Sequence, residues 1–274
     1  MIQPFRFLEP LKRGVIRSRP NRFVMMVECA NTGRLERCHC PVTGNIGYLD
    51  FNRGGVSCLL SPAMSPRATT AFTVEAISLD AEHTCSPAWI GINQNKANRY
   101  FEYFLSQGVW PELTPHPAFT LSPEVSVGGS RIDFCIDRYT DAPHYIEVKT
   151  PLIALETSGH PNFDAGKKDR TVISDGRLTR HMDTLSAILD GSPGAWVAGS
   201  PRCSMVLLFM YDAPRFNPPR NVGDTSTVPV ARARGLAKIF DSVDNMNEKG
   251  VRRFQLNLKI TEGTVSVIDF FSLE

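Results

Sequence analysis

Pro123-Glu124-Val125-Ser126-Val127-Gly128-Gly129-Ser130-Arg131-Ile132-Asp133-Phe134, followed later by Tyr145-Ile146-Glu147-Val148-Lys149, is the stretch on which the fold turns. Gly128-Gly129 lies between two runs of alternating apolar residues, the pattern of a two-residue hairpin turn. With Val127 opposite Ser130, the register runs on to set Val125 against Ile132 and Glu124 against Asp133. Opposed residues share a face, with Cβ atoms roughly 5 Å apart. The next connection, Arg138-Tyr139-Thr140-Asp141-Ala142, is rich in turn formers and ends at Pro143. Centring it on Thr140 pairs Asp133 with Glu147 and Arg131 with Lys149. Alternation then predicts two faces. Val125, Val127, Ile132, Phe134, Ile136, Ile146 and Val148 point to a core, and Glu124, Asp133, Glu147 and Lys149 point away from it. A one-residue slip would turn a whole strand over.

Three crowded carboxylates raise one another's pKa unless a cation neutralises them. Oxygen ligands suit hard divalent ions such as Mg2+ or Mn2+, which keep waters that a substrate phosphate displaces. Asp133 and Glu147 are the expected direct ligands, with Glu124 supporting them or holding a second ion. Lys149, on the same face, is placed to orient an attacking water or to meet charge developing on phosphorus. The plainer reading of the same pattern is an antiparallel meander whose wet face carries ordinary charged residues.

Asp133 with Glu147-Val148-Lys149 resembles the core of the PD-(D/E)XK nuclease superfamily, and the wording around it is similar to the sugar fermentation stimulation protein A (SfsA) family. Further pieces agree in order: Asn21-Arg22-Phe23, His39-Cys40-Pro41-Val42-Thr43-Gly44, Ile92-Asn93, Ala97-Asn98-Arg99, Asn162-Phe163-Asp164-Ala165, and Arg177 with Arg180-His181. The resemblance implies an α/β (α+β) protein with an N-terminal OB-like β-barrel. A PD-(D/E)XK-type nuclease domain, a mixed sheet flanked by helices, would follow. It implies nucleic-acid binding and carries a link to the regulation of sugar-utilisation genes. Departures are Val42 in place of asparagine, Leu178 in place of glycine, Arg180 in place of lysine, and longer segments at 156–176 and 216–234. Arg177, Arg180 and His181 are then candidates to approach phosphates, His181 also as a proton or hydrogen-bond donor. The alternative for these three is the surface of an amphipathic helix.

The chain has 274 residues, 42% hydrophobic and 21% charged, ordinary for a globular protein of one large domain or two. A net charge of +2 gives no whole-molecule argument for a polyanionic partner. Locally, Arg6, Lys12, Arg13, Arg17, Arg19 and Arg22 face only Glu9 in the first segment, and such a basic strip suits phosphate contacts. Arg131 adds a further basic residue beside the acids. Seven cysteines without disulfide spacing, and no signal peptide, point to a reducing, cytoplasmic setting. Cys38-His39-Cys40 with Cys29 invites zinc, but alternation sends His39 away from the two thiols, and no second ligand pair follows. No apolar run approaches the roughly 20 residues of a membrane span.

Short strands with frequent turns over residues 1–87 predict the barrel, and residues 88–274 the second domain. Ala97, Tyr100, Phe101, Phe104 and Leu105 recur at helical spacing within 95–107, before Gly108. A second helix is expected over Leu178–Leu189, with Leu178, Met182, Leu185 and Leu189 as its apolar stripe. A buried central strand is expected over Met205–Tyr211, a helix over Gly235–Val243, and closing strands over Arg253–Ile260 and Thr264–Phe270. Two functions are compatible with these residues: a metal-dependent hydrolase of DNA or RNA, and a nucleic-acid-binding regulator that does not cut. A protein-interaction role for the loop Pro214–Thr227 has little behind it, and a homodimer is compatible with either function.

Overall fold

Alternating apolar residues broken by turns fold the first third of the chain into a closed barrel. In the computed structural model, residues 2–63, 69–82, 84–114, 116, 118–152, 155–166, 176–192, 199–217 and 230–273 are described, with backbone alone at 176–177 and 230–237. The barrel strands are β2 (Lys12–Asn21), β3 (Val24–Cys29), β4 (Leu35–His39), β5 (Val56–Pro62) and β6 (Phe72–Ile77). They pair in the order β4-β3-β2-β5-β6, and a parallel contact of β4 with β6, Cys38 opposite Phe72, closes the ring. Ile16, Met25, Val27, Cys38, Val56, Cys58 and Val74 fill its interior. The structure therefore has an OB-like barrel where the short strands predict one.

The second sheet is mixed and has seven strands. It contains β1 (Phe5–Arg6), β8 (Leu121–Val127), β9 (Ser130–Ile136), β10 (His144–Lys149), β11 (Arg202–Phe209), β12 (Arg252–Ile260) and β13 (Thr264–Ser272), in the order β1-β13-β12-β11-β10-β9-β8. The parallel strand β11 lies between β10 and β12, which accounts for its continuous apolar run. Helix α1 (Ala97–Leu105) follows a 3₁₀ turn at Gln94–Lys96 and buries Tyr100, Phe101, Phe104 and Leu105 against one face. Helices α2 (Gly176–Asp190) and α3 (Val230–Glu248) cover the other face. They are pinned to each other by Ser242 Oγ to Asp183 (3.0 Å) and Lys249 to Asp190 (2.7 Å). The last helix is thus longer than Gly235–Val243, and the stripe buried on α2 is Met182, Leu185 and Ile188.

Barrel and sheet meet at β7 (Ile90–Gly91), which pairs with β6. Gly91 N donates to Met210 O at 2.8 Å, and a Cβ here would lie 2.4 Å from Ile260 Cδ1 and 2.5 Å from Met210 Cβ. The absence of a side chain is what lets the two units come this close. The segment after β10 also returns to the barrel: Asp50 N donates to Asn162 O (2.8 Å), and Asn162 Nδ2 to Gly54 O (2.6 Å).

One predicted face is corrected. Phe134, Ile136, Ile146 and Val148 pack on the α1 side, whereas Val125 and Ile132 pack with Met182 and Leu185 on the α2 side. The edge hairpin therefore turns over between Ile132 and Phe134. On the neighbouring strand, at the same level, Glu124 adopts φ 53°, a left-handed conformation that departs from regular strand geometry.

Candidate functional site

The site is built where β9 and β10 run side by side. Pairs Ile146–Phe134, Tyr145–Cys135 and His144–Ile136 continue in the expected register to place Glu147 opposite Asp133. At that level side chains take over the ladder: Val148 N donates to Asp133 Oδ2 at 2.8 Å, and Asp133 N donates to Glu147 Oε2 at 3.3 Å. Glu147 is almost wholly buried, its side chain 1% exposed, and Oε1 receives both Lys149 Nζ and His181 Nδ1. Lys149 Nζ and His181 Nδ1 lie 3.4 Å apart. Helix α2 supplies His181 from a buried position, not from the helix edge. The adjoining turn is fixed by Thr184 Oγ1, 2.8 Å from Ser130 Oγ.

The two acids differ electrostatically. Burial, then repulsion from Glu147, pushes Asp133 above its ordinary value, against the hydrogen bonds from Val148 N and Asn98 and the attraction of Lys149. Burial also pushes Glu147 upward, but the His181 bond and the Lys149 ammonium outweigh it and hold that carboxyl below its usual range. Glu147 is thus charge-compensated, whereas Asp133 keeps a negative charge that the fold disfavours. Adjacent carboxylate oxygens, one undercompensated, fit a hard divalent cation in donor chemistry. Among the described residues no three His, Cys, Asp or Glu side chains converge to hold an ion, so waters or substrate oxygens would complete any coordination shell.

Glu124 does not join this pair. Pairs Pro123–Phe134 and Val125–Ile132 keep the predicted register on either side of it, but its carboxylate is 64% exposed and reaches Arg131 at 3.4 Å. Its positive φ, 53°, departs from strand geometry at this point, and the side chain sits off the shared face.

The basic strip also looks different in three dimensions. Arg13 bonds Glu262 (Nε to Oε1, 2.7 Å), and Arg17 bonds Glu28 and Glu82 at 3.0 Å each. Arg19 is spent on the carbonyls of Gly44 (3.0 Å), Val42 (2.5 Å) and Arg22 (3.1 Å). The strip therefore does not face Glu9 alone; Glu262 neutralises Arg13, and Glu28 and Glu82 neutralise Arg17. Arg22 stacks 4.6 Å over the Phe23 ring, and Arg180 is exposed on α2. The side chain of Arg177, together with Lys167, Lys168, Arg170 and the stretch from Pro219 to Thr227, lies outside the described residues.

Asn98 has a part in the site that its place in the sequence does not announce. Its Nδ2 donates to Asp133 Oδ1 at 2.8 Å, and Gln94 Nε2 donates to Thr150 O at 2.6 Å just beyond Lys149. The available signal was Asn98 three residues before Phe101, whose ring packs 5.4 Å from that of Phe134. The seven cysteines are free, six of them buried, and burial raises the thiols of Cys38 and Cys40. Among the described residues no helix is long and apolar enough to cross a membrane.

A closed OB-like barrel packed against a curled mixed sheet, with a buried and a half-buried acid, a lysine and a histidine gathered where β9 and β10 run side by side, defines a two-part α+β architecture. This chain belongs to the sugar fermentation stimulation protein family: residues 18–92 match the model of the SfsA N-terminal OB domain, and residues 95–163 that of the sugar fermentation stimulation protein RE domain. A sugar fermentation stimulation protein homolog from Picosynechococcus sp. is 33% identical over 198 residues, covering 70% of this chain and 71% of that one. One from Synechococcus sp. is 36% identical over 152 residues, 56% of this chain and 59% of that one. The solved structure of Pyrococcus furiosus SfsA in complex with Ca2+ shares the fold, with a TM-score of 0.65 over 97% of both chains at 19% identity.

Proposed function

We propose that this protein is a divalent-metal-dependent phosphodiester hydrolase of nucleic acid. The observation that carries the proposal is half-buried Asp133 held beside buried Glu147, with Lys149 and His181 converging on one Glu147 oxygen. The OB-like barrel supports nucleic acid as partner, and the Ca2+ of the Pyrococcus furiosus relative supports a divalent ion. In this reading Asp133 and Glu147 hold Mg2+ or Mn2+. The ion, when bound, supplies a lowered water pKa and an offset to phosphoryl charge. Asn98 fixes the Asp133 carboxylate, and Lys149 orients the nucleophile or meets the developing negative charge. His181 holds Glu147 in place and stands ready to move a proton at Nδ1. Glu124 lies outside the shell.

A second reading, a nucleic-acid-binding regulator that does not cut, is favoured by one observation: Lys149 and His181 already neutralise Glu147 without any ion. Cleavage of labelled single- and double-stranded DNA and RNA with Mg2+ or Mn2+, by wild type and Asp133→Ala, separates them. Metal-dependent cleavage lost in the variant supports the hydrolase. Cleavage unchanged in the variant refutes the site, and binding without cleavage by wild type selects the regulator.

A further inference from the structure

We propose that Arg202 and Arg252, neighbours on the α1 face of the large sheet, form a binding site for a phosphate group. The site lies apart from the acidic pair, and the inference stands independently of the hydrolase reading.

Strand alternation fixes the placement. Val206 and Leu208 of β11, Phe254 and Leu256 of β12, and Ile146 and Val148 of β10 all pack in the core that α1 covers. Arg202, Arg252 and His144 share their parity and open onto the same face, at the end where β11, β12 and β10 begin. His144 stands opposite Arg202, and Ser204 opposite Arg252. The two arginines are therefore diagonal neighbours on adjacent strands, with Cα atoms about 8 Å apart from strand spacing and rise, within reach for long side chains. Glu147 has the other parity, that of Tyr145, and meets His181 on the α2 side. The sheet itself thus separates the two arginines from the acid site.

The charge here is not balanced from within. Both arginines are half-buried, and both guanidiniums help to lower the pKa of the buried His144 ring. Arg202 is itself pushed below its ordinary value, first by burial and then by Arg252, against a smaller pull from Asp137. That acid is already committed: Oδ1 accepts from Thr120 N at 2.9 Å, and Oδ2 meets His116 Nε2 at 2.8 Å. Among the described residues no carboxylate comes within ion-pairing distance of Arg202. Arg252 is anchored, its guanidinium 5.0 Å from the Phe254 ring and its Nη1 donating to Glu112 O at 3.3 Å. Two partly desolvated cations side by side repel each other, and an oxyanion between them removes that cost. The planar forks suit the paired oxygens of a phosphate, and two positive charges match its dianion.

The test is thermal unfolding of the whole chain in EDTA, with inorganic phosphate titrated against sodium chloride of equal ionic strength. Wild type is expected to show a saturable rise in melting midpoint, about 3 °C at ten times the dissociation constant. Arg202→Gln should lose that rise, yet melt no lower than wild type in chloride, because it removes a charge that Arg252 repels. Arg202→Lys, which keeps the charge without the fork, should retain only part of the rise. Asp133→Ala should keep all of it, since the acids lie across the sheet. The site is overturned by a wild type without a saturable rise, by a full rise in Arg202→Gln, or by a rise lost in Asp133→Ala. An Arg202→Gln that melts well below wild type in chloride also overturns it, by making Arg202 a structural cation. None of these results bears on the hydrolase, which the cleavage assay decides. Anisotropy of a labelled single-stranded oligonucleotide in EDTA then identifies where the phosphate comes from. Weaker binding by Arg202→Gln, with the slope of log affinity against log salt reduced by about 0.7, assigns it to nucleic acid. Unchanged oligonucleotide binding beside a lost phosphate response assigns it to a small phosphate compound.

Discussion

Asp133→Asn should make the protein slightly more stable and catalytically dead. In the fold, burial and the neighbouring Glu147 both disfavour the ionised Asp133 carboxyl. At neutral pH that group is charged and works against folding; the penalty fades as pH falls and the carboxyl takes up its proton. An asparagine removes the charge at nearly constant shape. Its oxygen can still accept from Val148 N, and its amide can donate to Asn98 once the Asn98 side chain rotates to present its oxygen, so both bonds at 2.8 Å have replacements. The gain is on the order of 1 kcal/mol, in the range seen when strained functional residues are neutralised. It should raise the melting midpoint by about 2 °C in a chain of this size. Urea and thermal unfolding at pH 7 measure it. Mg2+ or Mn2+ should raise the midpoint of wild type and leave Asp133→Asn unmoved, because an ion that binds only the folded site stabilises by mass action. A variant that unfolds more easily than wild type while keeping metal-dependent stabilisation would refute the reasoning.

Glu124→Ala should change cleavage and stability little, with a stability loss within about 0.5 kcal/mol, since an exposed pair with Arg131 contributes little. A large loss of metal-dependent cleavage in that variant would return Glu124 to the site. Stability should also fall below pH 6.5. His144, buried against Leu113 O (3.0 Å) and Ser204 Oγ (2.8 Å), has its pKa lowered from 6.5 to about 3, chiefly by burial. The unfolded chain binds that proton first, so stability drops by up to about 1.4 kcal/mol per pH unit between those values, and His144→Gln should flatten the urea-midpoint profile there. Gly91→Ala forces a methyl into Ile260 and Met210 and should destabilise by about 1–3 kcal/mol in equilibrium unfolding.

Much of this molecule is legible along the chain. The Gly128-Gly129 turn and the loop centred on Thr140 set both registers, because hairpin pairing is local and turn length dictates it. Asp133 and Glu147 come together for that reason, and β11 and the apolar face of α1 follow from composition and period. Long-range relations decided the remainder. Nothing near Arg13 or Arg17 announces Glu262 or Glu82, and nothing near Glu147 announces that His181 is buried against it from a helix 34 residues on. Charge and burial are properties of the neighbours that packing brings together, and those neighbours are set by closure of the barrel and docking of α2. Glu124 marks the boundary between the two regimes. Its register was local and readable, but its positive φ and its place on the exposed edge strand put its carboxylate beside Arg131 and away from Asp133 and Glu147.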